Sequence, residues 1–191
     1  MKIHSLNKKS SFHLWYIVRR MFDIDEINTI QEQVADIGIT TATTLGGHDS
    51  TYRDSMLKWL PDCDDTEFKW IYNRIWKWAK IANEDNWGFE IQGWKDTLQH
   101  TYYPSEGGHY DWHTDIGGDG IDHRKISGTV LLKDCEDGGR LQFKNGRKNT
   151  DIVLGEGDAV FFPSWYLHRV TPVKQGERES LVSWISGQPY R

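Results

Sequence analysis

The chain has 191 residues, 37% of them hydrophobic, so it is long enough to bury one substantial core but short for two. No apolar run approaches the roughly 18 residues of a membrane helix, and Met1 to Ser11 is too polar for a signal peptide. A net charge of -5 disfavours nucleic acid as a partner, and we expect one cytoplasmic domain, residues 1–191, with no membrane partner.

The first predicted element is an amphipathic helix. Asp23 has the character of an N-cap, and Glu26 stands three positions later, as in a capping box. Apolar residues follow at near-helical spacing, and Gly38 is a typical stop after a helix. The apolar positions are Ile24, Ile27, Ile30, Val34 and Ile37.

A second helix is predicted to begin near Asp65 or Thr66 and to end near Asn83. Its apolar stripe is better explained as a core face than as a ligand-binding surface. With these two helices, we interpret residues 1–86 as a helical N-terminal part. The stripe consists of Phe68, Ile71, Ile75, Trp78 and Ala82.

From Trp87 onward the pattern changes to short β-prone runs separated by Gly, Asn and Asp. Such runs favour a mainly β fold with added α, a double-stranded β-helix or jelly roll in which both helices pack on one sheet. We therefore expect residues 87–191 to form the jelly-roll catalytic core. The predicted strands are 87–92, 97–103, 109–115, 126–132, 139–143, 151–154, 158–163, 167–173 and 178–186.

The segment before residue 116 contains two candidate metal-binding pairs. Residues two apart on a strand point to the same face, roughly 6.6 Å apart, so His113 and Asp115 could bind one ion. The same holds for His109 and Asp111. Spacing alone does not separate the two pairs.

Any distant third ligand would be His168, since no other histidine follows His123. Two imidazoles and one carboxylate leave positions open on an octahedral ion, which is typical of non-haem iron(II) oxygenases. A catalytic zinc site is the metal alternative, but the usual helical HExxH is absent.

Arg178 follows His168 by ten positions and opens another predicted strand. Two adjacent strands could place its guanidinium roughly 10–15 Å from the backbone of the metal ligand, a distance that a five-carbon diacid and a long side chain can span. This suits 2-oxoglutarate. A solvated arginine at a strand start is the alternative.

These features resemble the prolyl 4-hydroxylase-like branch of the 2-oxoglutarate and iron(II)-dependent dioxygenases, especially the compact PKHD-type hydroxylases. The resemblance covers roughly residues 96–187, with weaker similarity around Arg53-x-Ser55 and Trp59. Its motifs are Tyr103-Pro104, His113-x-Asp115, Gly138-Gly139, Gly157 to Ser164, His168 to Pro172 and Gly176 to Ser180.

The resemblance implies one register for the metal site. The binding tyrosine of the family lies ten positions before the first ligand, which matches Tyr103 to His113. The metal ligands, which are also the catalytic residues, would then be His113, Asp115 and His168. His109 and Asp111 become rim residues.

The resemblance also implies a cosubstrate site. Arg178 would pair with the distal carboxylate of 2-oxoglutarate, and Tyr103 would donate a hydrogen bond to it. Ser180 and Trp184 are candidate pocket residues. Leu131 stands where several prolyl hydroxylases carry a second carboxylate-binding tyrosine.

The implied activity is hydroxylation with Fe(II), 2-oxoglutarate and O2, and ascorbate is a candidate auxiliary reductant. Asp115 favours hydroxylation over halogenation, because related halogenases have a small residue there. The favoured substrate is a prolyl residue of a peptide or protein. The alternatives are oxygenation of a free amino acid or other small molecule, and a non-catalytic jelly-roll binding module that contains a metal.

Candidate substrate determinants are the segments Gly38–Pro61 and Ile116–Arg124, together with Trp165 and Tyr166 as rim residues. Variable loops carry specificity in many folds, although each of these could be an ordinary surface loop. The sequence leaves the substrate and the oligomeric state open.

Overall fold

The computed structural model describes residues 13–42, 49–65, 67–118 and 120–189. In these ranges the chain forms two helices, as predicted, and fifteen strands, where the sequence predicts nine. The helices are α1 (Ile24–Ala35) and α2 (Lys69–Asn86). The first strands are β1 (Tyr16–Val18), β2 (Thr40–Thr41), β3 (Arg53–Asp54), β4 (Met56–Trp59), β5 (Ile91–Trp94), β6 (Gln99–Tyr103) and β7 (His109–His113). The others are β8 (Arg124–Lys133), β9 (Asp137–Gly138), β10 (Leu141–Asn145), β11 (Lys148–Asp151), β12 (Ala159–Pro163), β13 (His168–Val170), β14 (Val173–Gln175) and β15 (Arg178–Gly187).

Helix α1 begins at the predicted capping box. The Asp23 carboxylate accepts the Glu26 backbone N–H at 2.9 Å, and the Glu26 carboxylate accepts the Asp23 N–H at 3.1 Å. Two N–H groups that the helix start would leave unpaired are satisfied in this way. The helix ends at Ala35, three residues before the predicted stop at Gly38, and Ile24 is exposed.

Helix α2 begins later than predicted. Asp65 bonds the Glu67 N–H with its side chain and the Lys69 N–H with its carbonyl, so a turn precedes the first helical residue. Thr66, the other predicted start, lies outside the described residues. Ala79 rather than Trp78 is fully buried on the core face. Neither described helix is long and apolar enough to cross a membrane.

The major sheet has the strand order β1-β12-β8-β15-β6-β4-β2, with β5 also paired to β15. Both helices pack on one of its faces around a continuous apolar core. Side chains alternate along a strand, so one face of β15 supplies Leu181 and Ile185 to this core and the other face supplies Arg178 and Ser180 to a cavity.

The minor sheet, with order β11-β10-β13-β7-β3, covers the other face of the major sheet. A second apolar cluster lies between the two sheets and includes Phe143, Phe162 and Tyr166. The two sheets form the predicted jelly roll, and both helices lie on one sheet as expected.

Several predicted strand bounds are wrong. Residues 87–92 give way to β5 at Ile91–Trp94, because Trp87 still caps α2. The run 167–173 divides into β13 and β14 around Thr171 and Pro172. A strand is predicted at 151–154, but the observed strand β11 covers Lys148–Asp151 and ends where the predicted one begins.

The sequence predicts a helical N-terminal part for residues 1–86, but the structure shows that this part also contains strands. Strands β1 to β4 lie in this region and belong to the sheets of the jelly roll. The segment Gly38–Pro61 therefore contains three of these strands rather than a loop alone, and its residues 43–48 lie outside the described ranges. The division of the chain at residue 86 stays a prediction. Strands from both sides of that position belong to the same sheets.

Candidate metal centre and cosubstrate cavity

Antiparallel pairing of β7 with β13 brings two distant histidines together. His113 ends β7, His168 begins β13, and the two residues are directly opposite in the register. Their ring centroids lie 4.1 Å apart. Asp115 follows two residues after His113, so its carboxylate reaches the same point.

The three side chains converge as a metal-binding set. The His113 Nε2 atom lies 3.7 Å from Asp115 Oδ1, and the His168 Nε2 atom lies 3.6 Å from Asp115 Oδ2. All three ligand atoms are within 4.8 Å of one another. Two nitrogens and one carboxylate oxygen at this spacing suit a divalent transition metal with coordination positions left open.

Backbone carbonyls fix both imidazole rings. The His113 Nδ1 atom is 2.7 Å from the Asp111 carbonyl, and the His168 Nδ1 atom is 2.8 Å from the Tyr166 carbonyl. A carbonyl can only accept, so each Nδ1 carries the proton. Each Nε2 therefore presents its lone pair to the cluster, which is the tautomer that a metal requires.

Asp115 lies beyond the end of β7, not on the strand as predicted. Its backbone N–H donates to the Ser164 carbonyl at 2.8 Å, and its Oδ2 atom accepts the Ser127 hydroxyl at 2.6 Å. Ser127 is fully buried on β8. Because β7 ends at His113, these hydrogen bonds to Ser164 and Ser127 orient the Asp115 carboxylate instead.

The protonation states favour metal binding. Burial, and after it the nearby His168, lower the pKa of His113 to about 3, so the ring is neutral near pH 7. Burial would raise the pKa of Asp115, but the two imidazoles and the Ser127 hydroxyl hold it below its ordinary value. Neutral imidazoles and an ionised carboxylate are the ligand forms that bind a metal.

The structure resolves the two candidate pairs that spacing left open. His109 is bonded through its two ring nitrogens to the Gly107 and Thr51 carbonyls, at 2.7 and 3.1 Å. The Asp111 carboxylate faces Arg169 at 3.8 Å. His109 and Asp111 are therefore not part of the convergent set.

A cavity of about 790 Å³ extends from the metal cluster between the sheets. Arg178, opposite Tyr103 in the β15–β6 register, lies in its wall and is 2% exposed. The Arg178 Nη1 atom donates to the Ser180 hydroxyl at 3.1 Å, and the guanidinium carbon lies 5.5 Å from the Tyr103 ring centroid. Within the described ranges, Arg178 has no carboxylate at ion-pair distance.

Burial lowers the pKa of Arg178, although a guanidinium starts so high that it stays charged near neutrality. A buried cation without a protein counterion suits an anionic ligand. Burial also raises the pKa of Tyr103, whose hydroxyl therefore stays protonated as a hydrogen-bond donor. Both residues line the cavity, and their contact with a cosubstrate stays a prediction.

The two remaining predicted pocket residues also line the cavity. Ser180 orients Arg178 through the hydrogen bond above. The ring centroids of Trp184 and Trp59 lie 6.1 Å apart, and the guanidinium carbon of Arg124 lies 4.0 Å from the Trp184 centroid. The Trp184 Nε1 donor is buried and has no hydrogen-bond partner among the described residues.

Strand β8 presents Arg124 and Thr129 to the cavity, and Leu131 does not line it. Leu131 is buried one alternation further along the same face. Leu131 stands where the resemblance implies a second tyrosine. It does not line the cavity, so it offers Arg178 no neighbouring hydroxyl donor.

The substrate determinants are partly different from those predicted. Ile116, Ile121 and Arg124 do line the cavity, so the segment after the ligand pair borders it. Tyr166 is not a rim residue but belongs to the apolar cluster between the sheets. Trp165 is 39% exposed and does not line the cavity.

Two further residues line the cavity although no motif in the sequence predicts a role for them, namely Arg53 and Tyr110. Strand β3 is only two residues long, yet it pairs with β7 and places Arg53 opposite Tyr110. The Arg53-x-Ser55 alternation was the available signal. No periodicity identifies so short a strand.

Residues 98–186 match the family model of the 2OG-Fe(II) oxygenase superfamily. A PKHD-type hydroxylase of Hyphomonas neptunium is 41% identical over 86 residues, and one of Idiomarina loihiensis is 35% identical over 83 residues. Each match covers 42% of this chain and 38% of the relative. The chain thus spans well under half the length of these curated relatives.

Solved structures show the same fold over nearly the whole chain. A Pseudomonas putida prolyl-4-hydroxylase has a TM-score of 0.73 at 20% identity and covers 92% of this chain and 94% of its own. A Trichoplax adhaerens prolyl hydroxylase has a TM-score of 0.74 at 17% identity, with 91% and 83% covered. The family match, the fold and the converging ligands together place residues 98–186 in the 2OG-Fe(II) oxygenase superfamily, with a prolyl 4-hydroxylase-like fold.

Proposed function

We propose that this protein is a hydroxylase that depends on iron(II) and 2-oxoglutarate. The observation that carries the proposal is one cavity with a His113, Asp115 and His168 cluster in its wall and the buried Arg178 nearby, which has no carboxylate at ion-pair distance among the described residues. The superfamily uses Fe(II), 2-oxoglutarate and O2. The cluster offers the ligand set for Fe(II), and Arg178 offers the counterion for 2-oxoglutarate.

His113, Asp115 and His168 would hold the iron, which supplies oxidative decarboxylation of 2-oxoglutarate and oxygen transfer when it is bound. Their fixed tautomers and the Ser127 hydrogen bond keep the ligand geometry constant. The remaining residues bind and orient.

Arg178 would bind the distal carboxylate of 2-oxoglutarate, and Ser180 holds the guanidinium in place for it. The Tyr103 hydroxyl would donate a hydrogen bond to the same molecule. Both side chains are almost fully buried, so water is kept from the charged contact and the contact is strengthened. Trp184 would close the pocket with its indole face.

The favoured substrate class is a prolyl group. PKHD-type hydroxylases are the sequence relatives, and a prolyl-4-hydroxylase and a prolyl hydroxylase in complex with a peptide share the fold. A free amino acid or another small molecule is the second candidate. Fold by itself does not select between them.

A non-catalytic metal-binding module is the proposal of another class. A structural ion requires closed coordination, whereas this cluster opens on a cavity of about 790 Å³ whose wall also contains Arg178, a buried cation with no carboxylate partner in the described part of the chain. These two features favour the enzyme.

Anaerobic titration with iron(II) and 2-oxoglutarate tests the proposal. We expect a weak visible charge-transfer band, lost in His113→Ala and in His168→Ala but retained in His109→Ala, which lies outside the cluster. Incubation with peptide libraries and with free amino acids, followed by mass spectrometry, should then reveal a product about 16 Da heavier. A protein that shows neither the band nor such a product is not this enzyme.

A further inference from the structure

A second arginine is buried in the wall of the same cavity. Arg53 lies on β3, pairs with Tyr110 of β7 and is 7% exposed. It belongs to the minor sheet, whereas Arg178 belongs to the major sheet. The cavity therefore has guanidinium groups from both sheets, and the cosubstrate proposed above accounts for only one of them.

The described protein satisfies Arg53 only in part. Its Nε atom donates to the Ser55 hydroxyl at 3.0 Å, and its guanidinium carbon lies 4.2 Å from the Tyr110 ring centroid. Across the described ranges, no carboxylate lies at ion-pair distance from Arg53, and its two Nη groups have no hydrogen-bond acceptor. A buried cation costs several kcal/mol unless it is paired, and stacking on an aromatic ring recovers only about 0.5–2 kcal/mol.

Tyr110 connects this cation to the metal centre. Its ring stacks on the His113 imidazole, with centroids 3.5 Å apart and planes inclined by 15°. An anion bound at Arg53 would therefore be one aromatic layer from the metal ligands. At that position a group attached to the anion would be presented to the metal, not to the distal end of the cavity at Arg178.

We propose that Arg53 binds the α-carboxylate of the substrate, so that the substrate is a free amino acid or the C-terminal residue of a peptide. The inference rests on the proposed function and narrows its substrate class. The two Nη groups of a guanidinium match the two oxygens of a carboxylate. An internal residue of a protein, whose α-carboxyl is an amide, would leave this cation unpaired.

The test uses the full chain loaded with Mn(II) and 2-oxoglutarate, so that binding is measured without turnover. Calorimetry gives dissociation constants for the twenty free L-amino acids and for their primary α-amides, which have the same side chains but no α-carboxylate. Glycylglycyl tripeptides that end in each residue, as acids and as amides, form the second arm. This arm separates a free amino acid from a peptide C-terminus.

We expect at least one acid to bind about tenfold or more tightly than its amide, the difference that a charge-assisted bidentate contact provides. Arg53→Gln should remove this preference. Arg53→Lys should keep part of it, because the charge remains without the planar fork. The matched control is Arg147→Gln, a change at an exposed arginine outside the cavity wall that should leave the preference intact.

Equal binding of acids and amides, or no binding by any acid, would overturn the inference. So would an Arg53→Gln variant that loses 2-oxoglutarate affinity instead, since Arg53 would then serve the cosubstrate. Retained 2-oxoglutarate binding also shows that the variant is folded. Failure of the proposed function is distinguishable, because the unmodified chain would then not bind 2-oxoglutarate at all.

Discussion

At the scale of single residues, the metal ligands depend on neighbours that contact no metal. The two imidazoles are held by backbone carbonyls, and the Asp115 carboxylate is held by the Ser127 hydroxyl. Side-chain substitutions leave the backbone carbonyls in place, whereas a substitution of Ser127 can remove its hydroxyl. Ser127 is therefore the residue whose loss should disturb the site without removing a ligand.

We predict that Ser127→Ala weakens iron(II) affinity by roughly 10- to 100-fold, because the carboxylate loses the contact that orients it. Competition with a chelator under anaerobic conditions measures the change. Ser183→Ala is the matched control, since Ser183 is also buried but bonds the Gly128 carbonyl at 3.4 Å and not a ligand. Equal loss in both variants would show that the effect is on the fold.

The residues of the site could be predicted from the sequence only where a motif marked them. The HxD pair is ambiguous by spacing alone, and the family resemblance at Tyr103 implies its register. The structure brings His113, Asp115 and His168 together. Arg53 had no comparable mark. Its burial depends on pairing between two residues of β3 and a strand more than fifty positions away, which no local pattern encodes.

At the scale of elements, tight turns connect the strands and fix where the site residues lie. Gly157 precedes β12 with φ of +84°, and a Cβ atom there would lie 2.1 Å from the Phe22 carbonyl oxygen. The turn therefore requires glycine both for its conformation and for its close approach. Helix α1 is easier to predict, because a capping box is local whereas strand pairing is not.

We predict that Gly157→Ala lowers the free energy of unfolding by about 3 kcal/mol or more, because backbone strain and a steric clash add. Gly146→Ala is the control, since Gly146 also has a positive φ, +60°, but no atom lies within 4 Å of the position that a Cβ atom would take. It should cost only the strain, about 1 kcal/mol. Chemical denaturation of the two variants measures both, and equal losses would contradict the clash.

The Asp158 carboxylate ties the segment before α1 to the turn that precedes β12. Burial would raise the pKa of Asp158, but the backbone N–H groups of Arg20 and Gly155 and the Arg19 guanidinium lower it. A carboxyl whose folded pKa is depressed stabilises the fold above its unfolded pKa. That stabilisation is lost as the pH falls through the folded value.

We predict that Asp158→Asn destabilises the protein by about 1–3 kcal/mol at pH 7, since one amide oxygen replaces two carboxylate oxygens. The difference from the unmodified chain should shrink as the pH falls below about 4. Denaturation curves at several pH values check this. The exposed Asp54, changed to Asn, should show no such trend, and a gap for Asp158→Asn that widens in acid would contradict the account.

At the scale of the whole molecule, the metal cluster joins strands that are distant in sequence. β7 and β13 each supply a histidine, and β8 supports the carboxylate, so a bound ion would link both sheets. A ligand that binds only the folded chain stabilises it by mass action. The fold and the metal site should therefore be thermodynamically coupled.

We predict that Mn(II) at about one hundred times its dissociation constant raises the melting temperature by about 5–10 °C. Differential scanning calorimetry measures the shift. His168→Ala should abolish it, whereas His109→Ala should retain it because His109 bonds only backbone carbonyls. The same shift in His168→Ala would mean that the ion binds elsewhere.

The most direct measurement of the central claim is succinate formation from 2-oxoglutarate in air, with and without iron(II). We predict iron-dependent succinate in the unmodified chain and in the surface variant Arg147→Gln. In Arg178→Gln the KM for 2-oxoglutarate should rise by roughly 10- to 100-fold, because a charge-assisted contact is lost. No succinate from the unmodified chain, or an unchanged KM in Arg178→Gln, would contradict the account.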